Sequence, residues 1–129
     1  MSNAITILEG EELEGSNEYV QTLAAPNGSL YGRAGAGRVI KFIPVNKSTT
    51  HIGPDLGGDG SWSKGAMTDS SGIIHRPPYN RSHGILNIDT HTNELTELDA
   101  NLLPKQGDDM LWESCAAALD GWMYFIPSC

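Results

Sequence analysis

The feature that most constrains this chain is an internal repeat, marked by three similar turn signals. An X-Gly pair occurs three times, at spacings of 44 and 49 residues: Asn27-Gly28, Ser71-Gly72 and Asp120-Gly121. Small or apolar residues precede each pair, and an apolar residue followed by a ring comes after it. An aromatic residue lies nine or ten positions ahead of each glycine. A period of this length indicates that one supersecondary unit is stacked several times.

Each unit reads as four short strands, labelled A to D in chain order. Strand A precedes the X-Gly pair and strand B follows it. Residues 39–44 align with residues 85–90 as strand C, and residues 48–52 align with residues 94–98 as strand D. Alternating apolar residues, together with 15 Gly and 7 Pro, favour strands over helices. The Asn-Gly and Asp-Gly pairs predict two-residue turns between A and B, since both residues tolerate positive φ.

One segment conflicts with its place in the repeat. Residues 112–119, with the sequence WESCAAAL, have high helix propensity when they are read alone. They occupy the position of strand A in the third unit, directly ahead of Asp120-Gly121. We predict a strand here, because the repeat is the longer-range pattern.

The repeated segments resemble the blades of β-propeller proteins. The resemblance is carried by APNGSLY at residues 25–31, RVIKFIP at 38–44 and ALDGWMYFIP at 118–127. The propeller repeats that these segments resemble include those of the kelch-like, sugar-lactonase-like and virginiamycin-lyase-like families. It implies an all-β fold of four-stranded antiparallel blades, two of them complete and a partial blade at each end. Such folds host lactonases, lyases, oxidases and binding proteins, so the fold alone implies no activity.

The resemblance makes residues 1–129 a single propeller segment. Residues 4–18 hold strand D of a preceding blade, residues 19–61 and 62–109 form two complete blades, and residues 110–129 hold strands A and B of a third. Propellers have at least about four blades, so we expect that this chain closes no ring alone. It is then either a piece of a longer protein or one half of a head-to-tail dimer approaching six blades. Unpaired strand edges favour such association.

Charge disfavours several classes of partner. Eight Lys and Arg against 16 Asp and Glu give a net charge of −8, which disfavours nucleic acid and anionic membrane surfaces. Apolar runs are far shorter than the roughly 20 residues of a membrane-spanning helix, so we expect no membrane insertion. The charge is segregated as −5 over residues 1–18, +4 over 19–54 and −7 over 55–129. This fits either complementary faces that guide assembly or an ordinary solvated surface.

Two groups of side chains are candidates for binding. One group comprises the rings that begin the A strands, which fit either packing between blades or a ring-lined binding mouth: Tyr19, Trp62 and Trp112. The other belongs to residues 75–81, which are predicted to break strand B into a loop stiffened by Pro77-Pro78. Its polar members fit a carboxylate-bearing partner: His75, Arg76, Tyr79 and Arg81. The alternative is a loop without function.

No catalytic, metal or cofactor site is predicted. The four histidines and the oxygen-rich residues 55–59 match no metal-ligand spacing, and no nucleophile or phosphate-loop motif occurs. Cys115 fits a small buried residue in strand A. We therefore expect a non-catalytic binding or scaffold module, whose blade loops and open edges contact protein partners or further copies. The alternatives are a fragment of a lactonase-like or lyase-like propeller enzyme, and a truncated fragment without independent function.

Overall fold

The computed structural model describes residues 19–34, 37–56, 65–78, 83–99 and 112–127. Within these ranges the chain forms no helix, and therefore none long and apolar enough to span a membrane. The same ranges contain ten strands: β1 (Tyr19–Ala24), β2 (Leu30–Ala34), β3 (Val39–Ile43), β4 (Ser48–Ile52), β5 (Met67–Thr68), β6 (Ile73–Arg76), β7 (Leu86–Asp89), β8 (Leu95–Glu97), β9 (Trp112–Ala117) and β10 (Met123–Pro127).

The strands form three antiparallel groups that follow chain order. Strands β1 to β4 make a four-stranded sheet, the first sheet, and β5 to β8 make the second sheet in the same order. Strands β9 and β10 form a two-stranded unit, the third hairpin. The all-β fold class with four-stranded antiparallel sheets is therefore confirmed. The strand predicted within residues 4–18 and the blade boundaries predicted at residues 61–62 and 109–110 lie outside the described residues.

The two sheets repeat each other in strand pairing. Leu30 pairs with Phe42 in the first sheet, and Ile74 pairs with Ile88 at the equivalent place in the second. In the third hairpin, Met123 takes the place on β10 that Leu30 has on β2. Register decides which face of a sheet each side chain occupies. Equivalent residues of the three units therefore point to equivalent faces.

The turns between the first two strands of each unit are longer than predicted. In each turn a glycine with φ of 83°, 87° or 84° closes a three-residue loop: Gly28, Gly72 and Gly121. Gly28 N–H donates to Ala25 O at 2.9 Å, and Ala25 N–H donates to Ser29 O at 2.8 Å. The prediction of two-residue turns was wrong, because only the glycine is left-handed. Asn27 Oδ1 instead accepts a hydrogen bond from Ser29 N–H at 3.0 Å.

The strand predicted in place of a helix near residue 112 is confirmed. Strand β9 runs from Trp112 to Ala117 and pairs with β10 along its length. It lies beside β5, and β5 lies beside β1, so the first strands of the three units are neighbours. Trp112 and Cys115 are buried. Pairing and burial here outweigh local helix propensity, which is a weak determinant when tertiary contacts oppose it.

The main core lies between the first and second sheets. The first sheet contributes Tyr31 and Val39, and the second sheet contributes three residues from its facing side: Ile74, Leu86 and Ile88. Successive side chains of a strand point to opposite faces. The opposite face of the first sheet therefore carries a different apolar set, which is half-buried: Leu30, Ile40 and Phe42. The sheets are joined by apolar surface that neither sheet buries alone.

Polar contacts fasten the same interface at its turn end. Tyr31 Oη donates toward Asn93 Oδ1 at 2.9 Å and lies 3.2 Å from Thr90 O. Lys41 Nζ donates to Asn93 Oδ1 at 3.1 Å and lies over the Tyr31 ring. Asn27 Nδ2 donates to Thr90 O at 3.2 Å. The turn between β7 and β8 is thus held by side chains of the first sheet.

Replacing Gly28 tests the geometry of the first turn. An added Cβ at Gly28 would meet nothing within 4 Å, so a substitution there acts through φ rather than through a clash. We expect Gly28→Val to lower the free energy of unfolding by about 2 kcal/mol. Gly28→Asn is the matched control and should lose clearly less, because asparagine tolerates the left-handed region. Urea denaturation measures both, and equal losses would contradict this turn assignment.

Removing the Tyr31 hydroxyl tests the polar fastening between the sheets. Tyr31→Phe takes a donor away from Asn93 Oδ1 and Thr90 O, and we expect a loss of about 1–2 kcal/mol in unfolding free energy. Tyr124→Phe is the matched control, since Tyr124 has the same strand position but is exposed. Urea midpoints should fall for the first variant and barely move for the second. A comparable loss in both would mean that the inter-sheet bonds add nothing.

Candidate functional site

The structure places four of the seven residues that the sequence predicted to bind. Tyr19 begins β1, Trp112 begins β9, and the adjacent pair His75-Arg76 ends β6. The predictions for Trp62, Tyr79 and Arg81 lie outside the described residues, as does the side chain of Tyr19. The side chain of Cys115 on β9 contacts the backbone of β6, with its Sγ 3.6 Å from His75 O.

Trp112, one of the ring residues, packs within the third hairpin. Its side chain is buried, and its ring centroid lies 5.7 Å from that of Phe125 at an interplanar angle of 52°. Tilted rings at this separation attract each other beyond the effect of burial. Trp112 therefore stabilises the third hairpin, and its role in binding a ligand stays a prediction.

The prediction of a loop beginning at His75 was wrong for its first residues. His75 and Arg76 are the last two residues of β6 and pair with β7. Arg76 is buried with its own interaction partners, and Pro77 and Pro78 after it are fully buried. Buried polar side chains require partners. Arg76 has such partners, so strand β6 extends to Arg76 where the sequence analysis predicted a loop.

His75 is the centre of a polar cluster within the second sheet. Its Nε2 lies 2.7 Å from Asp69 Oδ2, and its Nδ1 lies 2.7 Å from Asn87 Oδ1. Asp69 Oδ1 also accepts hydrogen bonds from the backbone N–H groups of Ser71 and Ile73. Both ring nitrogens thus contact oxygen atoms of the same sheet. His75 therefore links the turn of residues 69–73 to β7, and a polar network whose members are all hydrogen-bonded makes this region rigid.

The surroundings of Asp69 keep its carboxyl group ionised. Partial burial by itself raises the pKa of Asp69, but the hydrogen bonds from His75, Ser71 and the Ile73 backbone outweigh it. The pKa consequently lies well below its ordinary value of 3.8. The acceptor in each of these hydrogen bonds is therefore a charged carboxylate, and such bonds are stronger than those between neutral groups.

Cys115 is a buried residue, as predicted. Burial raises the pKa of its thiol to about 11, although the charge of Arg76 acts in the opposite direction. The thiol is the donor in the contact to His75 O. A thiol with so high a pKa is not a nucleophile near neutral pH.

The other described histidines are dispersed over the chain. His83 Nδ1 lies 3.4 Å from Glu97 Oε1, and the same oxygen accepts from Gly84 N–H at 2.7 Å. His91 Nε2 lies 3.1 Å from Ser71 O. Within the ranges that the structure describes, no three His, Cys, Asp or Glu side chains gather as metal ligands.

The third hairpin carries most of the large apolar side chains that are exposed in the described residues. They are Leu119, Trp122, Met123, Tyr124 and Ile126. Two of them have a buried equivalent in one of the sheets: Tyr31 in the first sheet is 1% exposed against 51% for Tyr124, and Ile74 in the second is 1% exposed against 36% for Met123. The sequence analysis missed this surface, because the repeat aligns Tyr124 with Tyr31 and does not show that their surroundings differ. Because successive residues of β10 point to opposite faces, Tyr124 and Ile126 share one face and Met123 lies on the other. Clustered exposed apolar side chains are typical of interaction sites in soluble proteins.

The turn of the third hairpin places a negative charge beside this surface. Asp120 Oδ1 accepts from Trp122 N–H at 2.9 Å, and Asp120 Oδ2 accepts from Tyr124 Oη at 2.8 Å. The backbone bond, and then the bond from Tyr124, lower the pKa of Asp120, while the latter bond raises the pKa of Tyr124. Asp120 is therefore a fixed negative charge at the border of the apolar surface.

Asp69→Asn tests whether the His75 cluster depends on the carboxylate charge. A carboxyl group whose pKa is lowered by folding stabilises the native state above its unfolded pKa of about 3.9, and this stabilisation is lost as the pH falls toward the folded pKa. We expect Asp69→Asn to lower unfolding free energy by about 1 kcal/mol at roughly pH 6. The difference from the unmodified chain should shrink at roughly pH 3.

Urea midpoints of both proteins at the two pH values measure the effect. Ser71→Ala is the matched control, because it removes the Oγ bond to Asp69 at 2.7 Å without removing the charge. A difference for Asp69→Asn that is the same at both pH values would show that the charge is irrelevant.

Comparison with known proteins supports the fold. No protein-family model matches the sequence, and no curated protein matches it. Among solved structures, the chain is similar to one titled "Streptogramin B lyase structure", a β-propeller, with a TM-score of 0.61 and 17% identity over 82% of this chain. The chain spans 33% of the length of that lyase. At this identity the likeness concerns the fold alone, and it supports a β-propeller-like fold in which the first and second sheets correspond to blades.

Proposed function

We propose that this chain is a non-catalytic β-propeller binding or scaffold module, which presents loops and an open strand edge to protein partners or further copies. The observation that carries the proposal is the third hairpin. It exposes Tyr124 at the position where the first sheet buries Tyr31, and Met123 at the position where the second sheet buries Ile74. Exposed apolar side chains grouped in this way are typical of surfaces that bind a partner.

The edge of β10 supports the same function. Strands β2 and β6 each pair with a neighbour on both sides, whereas β10 pairs with β9 alone among the strands of the described residues. An unpaired edge offers a row of N–H and C=O groups to an extended segment of another chain. Addition of a strand is an established mode of peptide recognition, in which the backbone supplies affinity and alternate side chains supply specificity.

The two sheets indicate which segment fits that edge. In the first sheet, the edge of β2 that faces away from β1 pairs with β3 (Val39–Ile43), and in the second sheet the same edge of β6 pairs with β7 (Leu86–Asp89). Both β3 and β7 are antiparallel to their partner and rich in apolar residues. Because the pairing of β9 with β10 repeats that of β1 with β2, a segment of the β3 type would meet Met123 as Phe42 meets Leu30. The partner is then an extended, apolar segment that runs antiparallel to β10.

The second candidate function is that of a piece of a propeller enzyme of the lactonase or lyase type. The likeness to streptogramin B lyase, of which the chain spans 33%, favours it. We place it second because His75, the histidine with the closest carboxylate, has both ring nitrogens within 2.7 Å of oxygen atoms of its own sheet. A general base needs a nitrogen within reach of the substrate. One tightly held metal ion per chain, found by elemental analysis, would favour the enzyme.

A peptide that copies β3 tests the binding function. The probe is RVIKFIP, the sequence of residues 38–44, titrated into the chain by calorimetry. We expect saturable binding with a Kd on the order of 100 μM, since main-chain pairing with a short segment gives modest affinity.

The control is the same peptide with proline in place of Ile40 and Lys41. Neighbouring N–H groups of a strand point to opposite edges, so one of the two substitutions removes a donor that faces β10. This peptide should bind at least about tenfold more weakly. If the unmodified peptide does not bind, or if both peptides bind equally well, the proposed use of the β10 edge is wrong.

A further inference from the structure

We propose that two copies of this chain associate head to tail, with the Tyr124 face of the third hairpin of one copy on the Leu30 face of the first sheet of the other. The Tyr124 face consists of Tyr124 and Ile126, and the Leu30 face consists of Leu30, Ile40 and Phe42. The inference deepens the proposed function, on which it rests for the exposed hairpin, by naming the occupant of that surface as a second copy.

The contact between the first and second sheets is the template for this association. Tyr31 and Val39 of the first sheet pack on the facing side of the second sheet, which presents Ile74, Leu86 and Ile88. Each of these five side chains is at most 3% exposed. In this contact, the Tyr31 face of the first sheet packs on the Ile74 face of the second sheet.

Among the described residues, the outer face of the third hairpin and that of the first sheet resemble the two faces of that template. By strand register, Tyr124 is the equivalent of Tyr31. The Tyr124 face of the third hairpin therefore corresponds to the face of the first sheet that packs on the second sheet. Leu30, Ile40 and Phe42 are likewise the equivalents of Ile74, Leu86 and Ile88, so the first sheet begins on a face of the receiving kind. Tyr124 and Ile126 are exposed, and the three receiving residues are half-buried. The free faces therefore complement each other as the packed ones do.

The turns at the two faces are complementary in charge. In the internal contact, Asn27 and Tyr31 reach the turn that contains Thr90 and Asn93. The equivalent of Asn27 in the third hairpin is Asp120, which carries a negative charge. The equivalent of Asn93 in the first sheet is Lys47, and both have positive φ, 62° and 56°.

Head-to-tail packing thus places Asp120 of one copy opposite the exposed Lys47 of the other. The wider charge distribution agrees with this arrangement. Residues 19–54, which hold the first sheet, carry +4 and no acidic residue, whereas residues 55–129 carry −7. Opposite charge at the two contacting ends speeds encounter and disfavours contacts between like ends.

A closed assembly of two copies is compatible with this contact. A contact between two different surfaces of the same chain is heterologous, and it produces either a closed ring or an open filament. When two copies each offer one face of each kind, two identical contacts close a dimer and leave neither free face exposed. We therefore expect a closed dimer rather than a filament.

Multi-angle light scattering on the 129-residue chain, at a low and a high protein concentration, measures the association. We expect a species of twice the chain mass of 13.9 kDa at the high concentration. A chain that stays monomeric at both concentrations overturns the proposal. Mass that keeps rising with concentration beyond that of two copies overturns the closed dimer.

Three variants test which faces meet. Lys47→Glu opposes Asp120 with a like charge and should weaken association at least about tenfold. Adding Asp120→Asn to Lys47→Glu removes the repulsion, keeps the side-chain acceptor of the turn, and should recover most of that loss. Glu94→Gln is the control for a change in net charge, because Glu94 is an exposed acid outside both faces, and should leave the dissociation constant unchanged. Circular dichroism establishes that each variant is folded.

The pattern across the variants decides the assignment. Equal association of Lys47→Glu and the unmodified chain, or no recovery in the double variant, overturns the pairing of these two faces. The proposed function fails separately. A monomeric chain that still binds the RVIKFIP peptide retains the binding function and loses the head-to-tail contact, whereas a dimer that does not bind the peptide retains the contact and loses the strand-edge function.

Discussion

A sheet has two faces, and among the described residues of this chain a face is buried where a neighbouring sheet packs on it. The second sheet has neighbours on both sides: its Ile74 and Ile88 pack against the first sheet, and its strand β5 lies beside β9 of the third hairpin. The first sheet and the third hairpin each have one such neighbour among the described residues. Stability in this arrangement comes from contacts between consecutive units, as in other repeat proteins. Where that series of contacts stops, Tyr124 is exposed, whereas its equivalent Tyr31 is buried.

The regular part of the fold was predictable because the repeat constrains it more strongly than local preference does. The positions of Gly28, Gly72 and Gly121 located three turns, and each glycine has the positive φ that only glycine adopts readily. The same periodicity assigned a strand to residues 112–119 against their helix propensity, and β9 (Trp112–Ala117) is the result. A pattern that recurs three times indicates how the units pack in three dimensions, whereas helix propensity reflects only the preferences of a few neighbouring residues.

Side-chain hydrogen bonds within the units were not predictable from the same patterns. The polar residues His75 and Arg76 read as a loop, because nothing in the order of residues shows that Asp69 and Asn87 meet the imidazole across two strands. The turn type was missed for a related reason: Asn27 uses its side chain to hold Ser29 N–H, which leaves the left-handed position to the glycine alone. In both cases a side-chain hydrogen bond decides the backbone path. The exposed hairpin surface was missed because equal sequence patterns do not reveal unequal neighbours.

The separation along the chain of the bonded residues implies an order of folding events. Each turn closes through bonds such as Gly28 N–H to Ala25 O, and hairpins of this kind form in roughly microseconds. The bonds between sheets join residues far apart, 63 positions for Asn27 to Thr90, and contacts with such separation form later and more slowly. The individual hairpins therefore exist before the interfaces that bury them. During that interval the newly formed hairpins depend on dilution, or on a helper that shields them, to avoid pairing with the wrong chain.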